Sequence, residues 1–409
     1  MNLDQKTITN PFNIPVIVAA LGYFVDIYDL ILFGIVKEPS LRDIGVKTED
    51  MFTVGTHLLD MQMIGMLVGG IIWGILGDKR GRLSALFLTI LMYSVANIAN
   101  GFVQTVAQYE WLRFIAGVGL AGELGIGITL VSEIMSAESR GIGASIVSGI
   151  GILGAVLGFL VADLFDWRMA YWVGGGLGLV LLIMRISVNE SGMFEKTKTD
   201  NVKRGDFLSL FKSSEKLKKY IFCILIGIPV WYVISQLIIN APLYAGELGI
   251  SGKITAAKSV TFHYIGASIG CLLFGFISEK IRSRKKALLF AVGSMTLFCF
   301  CYFSSFGAST NVFYLFIGLS GISMGGVWGV FMTVASESFG TNLRATVTTT
   351  APNFVRGTTV LISFCVTQLK TSYSLWTAGV IVGIVVISFS IIGSLSIKES
   401  YGKDLDYNE

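Results

Sequence analysis

Charge is scarce in this 409-residue chain: Asp, Glu, Lys and Arg make up 14% of it, against about 25% in an ordinary soluble domain. Histidine occurs twice and proline six times. The shortage of charge, with 53% hydrophobic residues, excludes a soluble globular domain. All five cysteines (Cys223, Cys271, Cys299, Cys301, Cys365) fall in apolar stretches, so neither a disulfide framework nor a zinc site is expected. Walker A, zinc-ligand and nucleophile-elbow patterns are missing. Two G-x-G-x-x-G matches, Gly117 to Gly122 and Gly149 to Gly154, lie inside apolar stretches instead of following a strand, so they are read as packing glycines. The net charge of +4 gives no reason to invoke nucleic acid.

What is present is long apolar runs. Twelve of them have about the length needed to cross a bilayer as helix: 14–36, 53–77, 83–103, 106–131, 141–164, 167–187, 219–245, 256–278, 287–307, 309–335, 345–369 and 372–396. They are continuously apolar, not alternating, so helices are expected and a barrel is not. One long polar interruption, 189–218, divides six spans from six. The expected organisation is an N-terminal bundle over 1–188, a linker over 189–218 and a C-terminal bundle over 219–409. With both ends on one side, that side holds 22 of the 31 Lys and Arg, Arg185 among them, and the other side seven. The positive-inside rule then places both termini and the linker in the cytoplasm. The first span carries Asp26 and Asp29 and is read as an uncleaved helix, not a signal peptide. The short tails, 1–13 and 397–409, leave no room for an appended domain.

The second positive feature is duplication. Ser132, Glu133 and Arg140 recur as Ser336, Glu337 and Arg344, 204 residues on. The loop Gly74 to Arg82, with Asp78, Lys79 and Arg80, recurs in weaker form as Gly275 to Lys285, where Glu279 replaces the Asp and glycines are missing. Internal repeats of this kind build many secondary transporters.

Three segments carry a family resemblance: Gly74 to Arg82, Arg113-Phe-Ile-Ala-Gly-Val-Gly-Leu-Ala-Gly-Glu123, and Glu133 to Gly141. They resemble the signature stretches of the major facilitator superfamily, most of all those of its metabolite:proton symporters and sugar porters. The resemblance implies an all-α membrane protein of twelve helices in two six-helix bundles that works by alternating access. It also implies that Asp78, Arg82, Glu133 and Arg140 latch the bundles when the cavity faces outward, with Glu337 and Arg344 as their repeats. Lys79 and Arg80 are read as topology determinants only.

Ionisable groups inside a span cost roughly 2.5 to 3.5 kcal/mol on insertion scales, so each is a functional candidate. Asp26 and Asp29 lie three apart, on one helical face. The Tyr28-Asp29 pair resembles the Trp-Tyr-Asp of the metabolite:proton symporters, which implies proton coupling at Asp29, with Asp26 a second candidate or a packing residue. Glu123 matches the acid closing the family's Gly-Gly-Glu, with Ala121 in place of the first Gly, and joins them as a coupling candidate. Arg113 corresponds to the fourth-helix arginine of those branches. Its planar guanidinium suits a carboxylate, and Arg356 could clamp the same anion from the opposite half. Permanent pairing of Arg113 with Asp29 or Glu123 is the alternative. Tyr28, Trp231, Tyr232, Gln236, Asn240 and Asn353 could line a midplane site. His57 with Asp60 could relay protons or gate the outer end. His263 is more readily a hydrogen-bonded core residue.

The reading is a proton-coupled symporter of a small organic anion in the inner membrane, not an enzyme. Its partners are substrate, protons and the bilayer; it works as a monomer, without cofactor or metal. A sugar, polyol or zwitterion importer with a structural Arg113 remains open, as does an exporter of a carboxylate-rich product such as a siderophore. The fifth span lacks the proline-containing signature of drug:proton antiporters, which favours uptake.

Overall fold

The computed structural model describes residues 10–136, 138–185, 193 and 203–409. The expected linker therefore falls partly outside the described residues, at 189–192 and 194–202. Among the described residues twelve long helical spans follow one another: α1 (Ile14–Asp43), α2 (Met51–Arg80), α3 (Arg82–Asn100), α4 (Val106–Ile134), α5 (Arg140–Leu164), α6 (Trp167–Met184), α7 (Ser214–Ile238), α8 (Ala256–Lys280), α9 (Arg284–Phe303), α10 (Thr310–Ser338), α11 (Arg344–Leu369) and α12 (Leu375–Ser396). They form two bundles of six. The bundles meet chiefly where α2 lies on α11 and α5 lies on α8. The basic loops and the chain's last residues share one end of the molecule, called here the basic face.

Eleven of these helices are long and apolar enough to span a membrane by length and composition. The exception is α11, which has the length, 26 residues, but carries Arg344, Arg356, Asn353 and a run of threonines. The polar side chains of its first half are buried, and Arg344, Thr346, Thr348 and Asn353 bond to the opposite bundle instead of facing lipid. Elsewhere the apolar pattern marks the spans and misjudges their ends. Helix α1 runs seven residues past the expected end at Val36, through a turn with an Arg42–Glu38 ion pair of 2.9 Å; helical backbone does not stop where hydropathy does.

Three spans are interrupted, and sequence periodicity foresaw none of the interruptions. Helix α4 breaks at Ala121-Gly122 and α5 at Leu153. Helix α7 passes through a π-helical turn over Val233–Ile238 just after Trp231, and a short helix, Ala241–Glu247, follows. Such π-turns cluster at functional sites. The turn between α2 and α3 uses Gly81 at φ 114°, which only glycine adopts without strain. The matching position in the second half is Arg282, at φ 51°, within a longer connection of three residues between α8 and α9, so a positive φ recurs without the glycine.

Helices pack at backbone contact between α8 and α10: a Cβ on Gly270 would come within 1.9 Å of the Ile322 carbonyl oxygen. Gly270→Ala should therefore force the two helices apart, at a cost of about 1 to 3 kcal/mol, and lower the unfolding temperature in detergent. Gly293→Ala, which meets nothing within 4 Å, should not.

Candidate functional site

At the basic face the duplicated residues exchange partners. Glu133 of α4 accepts from Arg82 of its own half at 2.8 Å and from Arg344 of the other half at 3.0 Å. Glu337 of α10 does the mirror of this, taking Arg284 of its own half at 3.1 Å and Arg140 of the other at 2.9 Å. Ser132 and Ser336, the serines preceding these acids, touch at 3.0 Å. All four arginines and both acids are buried. The Glu-x6-Arg spacing thus forms no pair within either repeat; each arginine reaches across.

Asp78 supplies a second kind of lock. The residue before α11, Leu343, cannot cap a helix, and its side chain makes no capping bond. Asp78, from the opposite bundle, accepts instead from the Ala345 and Thr346 backbone N–H groups at 3.1 and 2.8 Å and from the Thr346 hydroxyl at 2.6 Å. A carboxylate at a helix N-terminus satisfies free donors and meets the positive end of the dipole. Arg284, which lies in the second repeat and was not among the expected gate residues, binds Glu337 as Arg82 binds Glu133. The matching acid, Glu279, lies 2.9 Å from Arg284 and beside the first turn of α5.

The chain after α12 is threaded over this gate. Its backbone carbonyls accept from both exchanged arginines, Lys403 O from Arg140 Nη2 and Leu405 O from Arg344 Nη2. The Ser400 hydroxyl donates to Glu337, and Glu409 meets Lys219 at 2.6 Å.

Midway along the spans lies the second constellation. Asp26 and Asp29 are both 0% exposed, and their carboxylate oxygens have no hydrogen-bond partner among the described residues. Each faces a different arginine: Asp29 lies in the field of Arg113, within its own bundle, and Asp26 in that of Arg356, across the bundle interface. Arg113 donates to Asn97 of α3 at 3.0 Å and lies over the rings of Tyr171 and Phe33. Arg356 donates to Asn353 at 2.9 Å and is flanked by the indoles of Trp231 and Trp328, at 5.9 and 5.8 Å. Asn353 in turn donates to the Ala121 carbonyl, freed by the break in α4, and so ties the two halves together. Each arginine keeps two buried nitrogens without an acceptor among the described residues.

The expected site residues fall in different surroundings. Arg113 and Arg356 lie in separate clusters, Arg113 held inside its bundle by Asn97 and two rings and Arg356 at the interface beside Asn353. Tyr28 and Tyr232 turn away from the interface, their hydroxyls donating to the Ala170 and Gly379 carbonyls of their own bundles. Gln236 bonds Ser363 of α11, and Asn240 closes the break after the π-turn on the Ser235 carbonyl. His57 of α2 meets Glu110 of α4 at 2.9 Å with Asp60 in its field, an exposed pair that joins two helices of one bundle and does not cross to the other. His263 is a core residue near Ser320, at 3.2 Å. Two participants were missed. Trp328 is one. Arg185, counted among surface topology residues, is 2% exposed and pairs with Glu123.

Comparison with known proteins now fits this geometry. The profile of the Major Facilitator Superfamily matches residues 19–358, and the chain belongs to that family: it is a multi-pass membrane transporter, not an enzyme. Among its relatives, the cis,cis-muconate transport protein of Acinetobacter baylyi is 26% identical, with 97% of each chain covered. The sialic acid transporter NanX of Escherichia coli is 24% identical over 80% of this chain and 79% of its own. A structure of the proton:xylose symporter XylE bound to 6-bromo-6-deoxy-D-glucose superposes with a TM-score of 0.79 at 16% identity, over 96% of this chain and 97% of that one.

Removing one partner of a buried ion pair costs roughly 3 to 5 kcal/mol. Arg140→Ala, or ending the chain after Ser400 so that both arginines lose their carbonyls, should therefore raise labelling of cysteines introduced at the basic face and lower it at the opposite vestibule. Unchanged labelling at both ends would reduce these residues to topology determinants.

Proposed function

We propose that this protein is a proton-coupled symporter of small organic anions, with its basic face in the cytoplasm of a bacterial-type inner membrane and the cavity closed on that side. The observation that carries the reading is the pair of unbonded carboxylates on one face of α1, each set against an arginine with open donors. A substrate carboxylate entering between the bundles would take the two free donors of Arg356 in a planar, two-point contact. Asp26 then loses its cation, and a proton restores the balance. Asp29 lies within electrostatic reach of Asp26, so a proton on either carboxylate relieves the repulsion between them. Anion and proton thereby favour each other, which is symport in electrostatic terms. Relatives named for muconate and sialic acid support an acidic substrate, and the indoles beside Arg356 would suit a flat one.

The neutral-substrate alternative gains from the placement of Arg113, which behaves as a framework residue. It loses at Arg356, whose open donors lie on the interface itself.

Asp29→Asn should abolish uphill accumulation driven by a proton gradient and leave downhill exchange measurable, since the amide imitates the protonated acid. A mutant that still concentrates substrate would remove Asp29 from the coupling path.

Arg356→Lys should weaken binding about tenfold to a hundredfold, because losing a charge-assisted hydrogen bond costs about 1.5 to 3 kcal/mol. Arg113→Lys should instead impair stability more than affinity. The measurement is binding of cis,cis-muconate and its diamide to each folded variant. Equal binding of acid and amide by the unmodified protein would transfer the case to a neutral substrate.

A further inference from the structure

Three buried acids and three buried arginines surround the midplane: Asp26, Asp29 and Glu123 with Arg356, Arg113 and Arg185. They are not equivalent. Asp26 and Asp29 make no hydrogen bond among the described residues, whereas Glu123 is in direct contact with Arg185. Arg185 follows the last residue of α6, a position from which an arginine would ordinarily extend to the lipid headgroups. Its side chain folds back into the bundle instead. The contact is built for: Glu123 opens the second segment of α4 directly after the break at Ala121-Gly122, and Gly22 of α1 leaves room for both groups. A Cβ on Gly22 would come within 1.9 Å of Glu123 Oε1 and 2.3 Å of Arg185 Nη2. Besides Arg185, the charged and titratable groups acting on or near Glu123 are Asp26 of α1 and Tyr93 of α3, with Arg356 of α11 beyond Asp26.

We propose that Arg185 is a positioning residue for proton coupling: by neutralising Glu123 in a fixed pair, it leaves the aspartates of α1 as the groups that take the transported proton. The inference rests on the symport reading above. Without Arg185, Glu123 would stand as a third unpaired carboxylate facing Asp26 and would compete for the proton. With it, the six charges sum to zero, so a singly charged anion arriving with one proton leaves the site neutral.

The test is an infrared pH titration of the protonated-carboxyl band, carried out on the full chain in lipid with no substrate added. The expected result is a titrating band in the unmodified protein that diminishes in Asp26→Asn or Asp29→Asn and persists in the doubly neutral Glu123→Gln/Arg185→Gln variant. Arg185→Gln alone should gain one further titrating carboxyl, lost again in the double variant. Because the double variant removes an acid and a base together, it keeps the site's charge and tests the idea even if Arg185→Gln does not fold. Loss of the original band in the double variant would overturn the proposal and make Glu123 the proton carrier. A band that no pH change produces in the unmodified protein would instead sink the proton-coupled reading itself.

Discussion

Glu133 and Glu337 each hold two guanidinium groups away from water, one from their own half and one from the other. In a low-dielectric interior a charge is tolerated only when its partners are fixed. The closed basic face therefore exists as a unit: separating the bundles strips an arginine from each acid at the same moment. The cap that Asp78 of α2 places on α11, the Ser132–Ser336 contact and the bond from Arg140 to the Lys403 carbonyl all break in that separation. Several weak ties fail together, so the gate has two states and few intermediate ones.

A gate of this kind has to be opened by something with a stake in the other state. The midplane cluster is where that preference can arise, since Asp26 and Arg356 belong to opposite bundles and Asp26 lies in the field of Arg356. Asn353 joins them to the broken strand of backbone in α4, and α4 ends at Glu133 in the gate. Helices α4 and α11 thus each carry charge at both places, Arg113 and Arg356 at the site and Glu133 and Arg344 at the gate. A ligand shifts the balance only by the difference in its affinity for the two states, and that difference resides in how Arg356 divides its donors between Asp26 and a substrate.

The layout was readable in the sequence because bilayer thickness and duplication leave plain marks: apolar runs of a set length, and Ser-Glu-x6-Arg twice at one spacing. Pairing was not. The motifs marked Glu133 and Arg140 as latch residues without assigning their partners, and the symmetry of the fold hands Arg140 to Glu337, a relation no local pattern encodes. Arg185 was misplaced for a related reason, since a lone arginine at the end of an apolar run reads as surface until Glu123 is known to lie within reach. The breaks in α4 and α7 fall in stretches as apolar as any other. Polar α11 reads as an apolar run, 345–369, although its buried arginines, asparagine and threonines leave it the least apolar by composition.

The exchanged gate can be tested most directly by cross-linking across its centre. With the natural cysteines replaced, Ser132→Cys and Ser336→Cys should form a disulfide readily in the resting protein, since the serine hydroxyls stand 3.0 Å apart. The cross-linked protein should not transport, and reduction should restore transport. Full transport by the cross-linked protein would mean that the bundles need not part at this face, and would contradict the account.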